Sequence, residues 1–332
     1  MKKIGVITSG GDAPGMNAAL RAVVRNGIYK GIGIYAFQHG FQGLINKKFS
    51  PMQRGSVADI IQRGGTILQT ARCEEFKTKE GRTKAAENLK ELGISGLVII
   101  GGDGSFRGGE LIQKEHGIEV VGVPATIDND IGGTDFCIGF DTAVNTVIDA
   151  VNKIRDTATS HERIFVVEIM GRERGFLALY AGLAAGAESI LIPERPTSLK
   201  DICDKLEHGF KRGKKHSIIM VAEGVGGDFY TNRDLRKTPA FALSEAISDK
   251  LGHETRVIVL GHLQRGGAPS ARDRILASRM GASAVDLLCE GKSGLMIGMV
   301  HEEMKATPLG EALAQEPQIN EEILQLSHIL SL

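Results

Sequence analysis

An excess of charge of either sign is the first thing missing from this chain, because Lys plus Arg equals Asp plus Glu at 40 each over 332 residues. No global field draws it to nucleic acid or to an anionic membrane, so any polyanion must be held locally. Cysteine is sparse as well: Cys73, Cys137, Cys203 and Cys289 lie far apart with no C-x-x-C pair. That spacing argues against a disulfide framework and a zinc site, and leaves small buried or incidental thiols. No apolar run reaches the roughly 18 residues of a membrane helix, and the opening MKKIGVITSGG has too short an apolar stretch for a signal-peptide core. A cytosolic protein is expected. Heptads, low-complexity tracts and short-period repeats are absent too. So are G-x-x-x-x-G-K-[ST] and a complete G-x-G-x-x-G, which removes the Walker loop and the dinucleotide fingerprint.

What the chain does have is strands that end in glycine. Its length exceeds one usual compact domain, so about two are expected. KKIGVITS reads as a buried strand, GGDAPG as a turn, and MNAALRAVVRNGI as a helix closed by Gly27, the order of half a βαβ unit. The order returns in GLVIIGGDGSFRGGELIQKEHG, IFVVEIMGRERGFLALYAGLAAG, HSIIMVAEGVGG and TRVIVLGHLQRGG. Continuous apolar runs alternating with helical patterns predict an α/β fold with parallel strands covered on both faces. Ligands of such sheets gather outside the carboxyl ends of the strands, where these turns lie. The most polar long connection is 226–253, a loop and then a helix around FALSEAISDKL.

Two of the turns suit phosphate. In TSGGDAPGMNAAL, Gly10 and Gly11 permit close backbone approach, and the next helix aims unpaired N–H groups at the same place. A tight strand-to-helix turn capped by Asp12 fits those residues equally well. In IIGGDGS, Asp103 sits inside the glycine loop, where a carboxylate beside phosphates needs a bridging cation. Mg2+ suits that position, since it takes few protein carboxylates and completes its octahedron with water and phosphate oxygens. The stretch VPATIDNDIGGTDFCIGFDTA then gathers Asp128, Asp130, Asp135 and Asp141. In an extended segment Thr126, Asp128 and Asp130 share one side, and their repulsion must be offset by a cation, donors or water.

Cationic residues fall on other loops: Arg72, Arg163, Arg172, Arg256, and His262 with Arg265. Each alone reads as solvated surface. Several beside strand ends suit phosphate, whose oxygens match a guanidinium fork. Glu223, ending SIIMVAE, could accept sugar hydroxyls or merely start a loop. Arg21 and Arg25, one helical turn apart, with Arg54 and KRGKK at 211–215, form either a second basic site or a solvated face.

Taken together, ITSGGDAPGMNAALR, GGTILQTARCEEF, IGGDGS, PATIDNDI, GFDTAVNTVIDAV, SHERIFVVEIMGR, KKHSIIMVAEGVG and ETRVIVLGHLQRGG resemble the bacterial ATP-dependent phosphofructokinases, collinearly from residue 3 to roughly 292. The resemblance implies two α/β/α sandwich domains with mainly parallel sheets, in a homotetramer. It implies transfer of the γ-phosphoryl group of MgATP to the 1-hydroxyl of fructose 6-phosphate. An ATP and Mg2+ domain is expected at 1–138 and 264–314, and a sugar-phosphate domain at 139–263 and 315–332. By the same resemblance Asp128 is the base for the sugar hydroxyl, Thr126 contacts the reacting groups, and Asp130 supports sugar and metal positioning. Gly11, Arg72 and Arg172 steady the phosphoryl group and Asp103 organises Mg2+. Cys73, Gly102, Gly104, Ser105 and Gly108 line the nucleotide, and Phe41 faces adenine where relatives often carry tyrosine. His262 and Arg265 hold the sugar 6-phosphate, Arg163 and Arg256 reach in from a neighbouring subunit, and Met170, Gly171 and Glu223 complete the sugar pocket. Phosphoryl transfer asks mostly for alignment and charge neutralisation, so a plain aspartate can serve as base.

Donor choice turns on two positions. Gly104 leaves room for an α-phosphate where pyrophosphate-dependent relatives resemble GGDD, and Ala125 stands where ATP users usually read Gly and pyrophosphate users Lys. ATP is therefore expected. The resemblance also gives the basic set a role: Arg21, Arg25, Arg54, Asp59, Arg155, Glu188, Arg212, Lys214 and Lys215 match an effector site for ADP and phosphoenolpyruvate, with Glu188 able to accept a metal beside ADP. Two states that bind such effectors differently are what allostery requires. In two places the chain departs from the pattern. The connection from Gly224 to Arg256 is about a dozen residues longer than in short bacterial relatives, and Glu173, Arg174 and Phe176 stand where relatives carry other residues. Two rival readings are a pyrophosphate-dependent enzyme and a catalytically silent sensor of sugar phosphate or nucleotide. Retention of Thr126, Asp128, Asp103 and Arg172 argues against the sensor.

Overall fold

The protein is described here by a computed structural model covering residues 2–161, 163–230 and 238–331. The chain divides into two compact units, Met1–Thr142 with Arg265–Pro317, and Ala143–Gln264 with Gln318–Leu332. Its strands are, in chain order, β1 (Lys3–Ser9), β2 (Gly33–Phe37), β3 (Phe49–Met52), β4 (Gly96–Gly101), β5 (Glu119–Pro124), β6 (Ile164–Ile169), β7 (Ser189–Leu191), β8 (Ser217–Ala222), β9 (Thr255–Val259), β10 (Leu295–Val300) and β11 (Glu303–Pro308).

The first unit holds a seven-stranded sheet in the order β11-β10-β5-β4-β1-β2-β3. Its inner strands pair in parallel, while β3 and β11 run antiparallel at the edges. The apolar runs explain this. Every residue of β4 is buried and so is all of β1 after Lys3, which requires cover on both faces and suits parallel pairing. Pro51 in β3 lacks a ladder donor and is tolerated because β3 is an edge. Ile4, Val6, Ile7, Ile99 and Ile100 have no exposed surface, and each such side chain stabilises the fold by roughly 1.5–3 kcal/mol.

The helix expected to stop at Gly27 runs from Met16 to Tyr29. A Cβ on Gly27 would lie 2.4 Å from Cδ1 of Ile34, so this glycine lets the helix press against β2 instead of ending it. The chain turns afterwards at Gly31, where φ is 74°.

The second unit carries a parallel sheet in the order β7-β8-β6-β9. Both β6 and β8 are buried throughout, whereas Arg256 and Val259 of the edge strand β9 are exposed. Within the polar connection before β9 lies the expected helix, Pro239–Leu251, with proline in its first turn. Glu168 of β6, only 6% exposed, accepts the Ala240 N–H and so holds the start of that helix. Residues 231–237 of the connection fall outside the described residues. Among the described residues no helix is long and apolar enough to cross a membrane.

Candidate active site

β1 and β4 are neighbours whose last residues, Ser9 and Gly101, are in register, so the two glycine turns lie side by side. Gly10 has a φ of 87° and its Cβ position is 3.4 Å from Ser105 Oγ. The helix after the first turn is capped at Gly15, with φ 109° and no side-chain cap bond. Asp12 is therefore not the cap. A Cβ on Gly11 would lie 2.7 Å from Nη1 of Arg265, and the same nitrogen donates to the Asp12 carbonyl at 3.2 Å. Arg265, expected with His262 on the sugar 6-phosphate, thus lies across the first glycine turn, while His262 is exposed in the 3-10 turn Gly261–Arg265.

The second turn opens the helix Asp103–His116, whose N-cap, Gly102, makes no side-chain cap bond. A Cβ on Gly102 or Gly104 would meet nothing within 4 Å, and neither residue has a positive φ. Packing and backbone geometry therefore do not demand glycine here, although glycine inside a helix costs roughly 0.5–1 kcal/mol. What remains is close approach of a group to the N–H array at a positive helix end, a setting that fits phosphate. Asp103 stands part-exposed in that first turn. No cluster of three or more His, Cys, Asp or Glu suited to a metal occurs among the described residues. A cation at Asp103 would thus depend on one or two carboxylates plus substrate oxygens, the habit of Mg2+.

Gly108 admits Phe41, whose Cζ is 2.9 Å from the glycine's Cβ position. Phe41 is 7% exposed and stacks on Phe76 with centroids 3.9 Å apart. One ring face is therefore occupied by Phe76 and little of the other is open, so the expectation that Phe41 presents a face to adenine meets a ring committed to the core. Cys73 packs against the same cluster and Arg72 is exposed.

The four clustered aspartates separate into two kinds. Asp135 Oδ2 accepts the His301 N–H at 2.7 Å and Asp141 Oδ2 accepts the Ser270 hydroxyl, so these two tie the loop to neighbouring segments. Asp128 and Asp130 lie in the turn after β5. Extended alternation does not orient them: Ile127 and Asp128 form a turn, and Asn129 takes a left-handed φ of 52°. Asp128 is 1% exposed and its N–H donates to Thr126 Oγ1 at 3.2 Å; Asp130 is half-buried. Burial, then Asp130, with Asp128 and Asp273 adding to it, pushes the Cys137 thiol well above its ordinary range. Cys137 is a packed, protonated thiol.

Asp273 escaped the sequence reading. It is 1% exposed, and its Oδ1 accepts the Gly139 N–H at 2.9 Å while Oδ2 accepts both the Thr142 N–H at 2.8 Å and the Thr142 hydroxyl. Burial pushes this carboxyl up, and the Thr142 and Gly139 donors pull it partly back. The available signal was Ser270-x-x-Asp273 at a helix start; Ser270 does cap that helix, but the aspartate turns to the start of Phe140–His161 instead.

In the second unit β6 ends at Ile169 and the next residues turn sharply, with φ 144° at Gly171 and 53° at Arg172. Glu223 Oε1 accepts the N–H groups of Gly171, at 3.1 Å, and of Arg172. Gln264, fully buried, accepts the Met170 N–H at 3.2 Å. A Cβ on Gly224 would lie 2.3 Å from the Arg172 carbonyl oxygen. Glu223, expected to receive sugar hydroxyls, therefore commits one oxygen to holding Arg172 in a conformation that costs a non-glycine residue about 1–2 kcal/mol. Arg163 and Arg256 meet on one carboxylate. Glu254 Oε2 takes the Arg163 Nε at 2.9 Å and Oε1 takes Arg256, since the β6–β9 register sets Arg256 beside Phe165. Arg163, and behind it Arg256, hold the Glu254 carboxyl below its usual range. Arg256 lies only two residues from Glu254, whereas Arg163 is brought to it by the pairing of β6 with β9.

The second basic set falls in both units. Arg21 and Arg25 lie on the helix Met16–Tyr29, Arg54 opens the 3-10 turn Arg54–Val57, and Asp59 follows with φ 51°. In the second unit Glu188, 8% exposed, accepts the Ile218 N–H through Oε2 and faces Lys214 at 3.2 Å and Arg155 at 3.7 Å through Oε1. A metal on Glu188 would have to displace these partners. Arg212 caps the helix Leu199–Lys211, and Lys214 and Lys215 follow before β8.

Known proteins agree with this architecture. The Phosphofructokinase family profile matches residues 3–288. Over 332 residues, covering 100% of both chains, the protein is 62% identical to an ATP-dependent 6-phosphofructokinase of Halothermothrix orenii and 56% identical to one of Shouchella clausii. Full coverage on both sides leaves no sizeable net insertion, so the Gly224–Arg256 connection does not set this chain apart from those two. A phosphofructokinase structure from Saccharomyces cerevisiae, 36% identical, superposes with a TM-score of 0.88 over 100% of this chain and 48% of its own. With its glycine turns, its buried aspartate and this agreement along its whole length, the chain belongs to the phosphofructokinase family.

Proposed function

We propose that the protein is an ATP-dependent 6-phosphofructokinase, moving the γ-phosphoryl group of MgATP to the 1-hydroxyl of fructose 6-phosphate to give fructose 1,6-bisphosphate and ADP. One observation carries the reading: the buried Asp128, in the turn after β5, is one strand away from the glycine turn after β4, with Gly101 and Pro124 in register. A carboxylate base and a helix end suited to phosphate are thereby brought to adjacent strand ends.

In this reading Asp128 takes the proton of the sugar hydroxyl as it attacks, with Thr126 and Asp130 orienting the reacting groups. Gly11, Arg72 and Arg172 neutralise the charge spread over the transferring oxygens. Gly102, Gly104, Ser105 and Gly108 line the nucleotide, with Cys73 and Phe41 packed behind them, and Asp103 holds Mg2+, which when bound offsets phosphate charge. His262, Arg265, Met170, Gly171 and Glu223 receive the sugar phosphate, helped by Arg163 and Arg256 from a neighbouring subunit. The first unit is thus assigned to nucleotide and the second to sugar phosphate. The assembly proposed is a homotetramer; self-association, though not its copy number, is supported by the open edge at β9, where Val259 is 45% and the nearby Leu263 70% exposed, since an uncovered apolar edge favours pairing with another chain. The protein works in the cytoplasm.

The test is steady-state formation of fructose 1,6-bisphosphate with Mg2+ and either ATP or pyrophosphate. Turnover with ATP alone is expected. Turnover with pyrophosphate would overturn the reading of Gly104 and Ala125, and tight binding of both ligands without turnover would make the protein a sensor.

ADP and phosphoenolpyruvate are the proposed effectors, held by Arg21, Arg25, Arg54, Asp59, Arg155, Glu188, Arg212, Lys214 and Lys215. Arg21→Ala and Arg25→Ala should weaken the effector response while sparing turnover without effector. Initial rates with and without each effector check this, and unchanged responses in both variants would remove the arginines from the site.

A further inference from the structure

The geometry points to Asn129 as a positioning residue for Asp128, one that sets the rate of phosphoryl transfer through the carboxylate beside it and touches no substrate itself. The inference rests on the reading of Asp128 as the base. Asn129 is 8% exposed and left-handed, a conformation in which asparagine is favoured over other non-glycine residues. Its amide works on both sides. Nδ2 donates to the Asp135 carbonyl at 3.1 Å, and Oδ1 accepts the Cys137 N–H at 2.7 Å.

These two bonds close the loop that begins at Asp128. The base of the loop is pinned by the bridge between Ala125 and Ile138, and by the Ile138 N–H on the Pro124 carbonyl at 3.0 Å. Its far side is tied to the sheet through Asp135, whose N–H reaches the Met299 carbonyl at 2.8 Å. Asp128 sits between base and far side, and the bonds of Asn129 are side-chain ties across the loop. The neighbouring Thr126 accepts the Asp128 N–H. The buried carboxylate is carried on a backbone that Asn129 holds. Loss of the amide frees the turn to rotate, and a misplacement of about 1 Å can cost on the order of 100-fold in rate.

The test is a double-mutant cycle on the full-length protein. Asn129→Gly keeps the backbone freedom that φ 52° requires and removes both side-chain bonds. The expected result is a fall in kcat of about 10- to 100-fold, with KM for fructose 6-phosphate and for MgATP changed less than about threefold. In the Asp128→Ser background the same substitution should have almost no further effect on kcat, because a residue acting through the base has nothing left to position. A kcat cost that persists undiminished in that background overturns the inference, as does an unchanged kcat in the single variant. If Asp128→Ser alone costs nothing, it is the base assignment that fails. Should Asn129→Gly prove too unstable to assay, Asn129→Ser, which shortens the side chain without adding charge beside Asp128, is read in the same cycle with the same two outcomes.

Discussion

Asp128→Ser should fold, bind MgATP and lose at least about 100-fold in turnover, since general base catalysis is typically worth about 100- to 10,000-fold. Serine keeps the backbone N–H that reaches Thr126 Oγ1 and can occupy the turn, while the proton acceptor is lost. Rapid-quench turnover with saturating MgATP, beside a melting curve and a nucleotide titration, separates these effects. Near-normal turnover would take Asp128 out of the chemistry, and a large fall in melting temperature would show that the carboxylate supports the fold.

Asp273→Asn should be the most damaging isosteric change away from the reacting groups. The native carboxylate receives two backbone N–H groups and one hydroxyl, split between its two oxygens. An asparagine offers one acceptor oxygen, and its NH2 would face a donor at either Gly139 or Thr142. Leaving a buried donor unmet should cost about 1–3 kcal/mol, measured by urea denaturation. The linkage has a definite sign. Burial raises the Asp273 carboxyl, so its contribution is fully present below the ordinary aspartate range and falls away as pH rises through the raised value. The stability gap between wild type and variant should be widest in acid and narrower at neutrality. An equal gap at both would show that the group does not titrate differently in the folded protein.

How much of this was legible beforehand depends on how local each feature is. The β-branched runs before Gly10, Gly101 and Gly171 marked strands and the ends at which chemistry collects, because apolar continuity and glycine turns are written in adjacent residues. The collinear motifs named the family for the same reason. The end of the first helix was misread because Gly27 looks like a stop, while its actual neighbour is Ile34 on the next strand. The cluster from Asp128 to Asp141 looked like one acidic site until His301 and Ser270 claimed its last two members.

Sequence alone thus determined the α/β class, the strand-end turns and the candidate base. Tertiary structure decided where the polar groups make their contacts: Arg265 over Gly11, Asp273 at Gly139 and Thr142, Glu223 on the Arg172 turn, and Glu254 beside Arg163. The physical reason is that periodicity and turn chemistry act between near neighbours along the chain, whereas these partners are chosen by strand order and register, which bring together residues far apart in sequence.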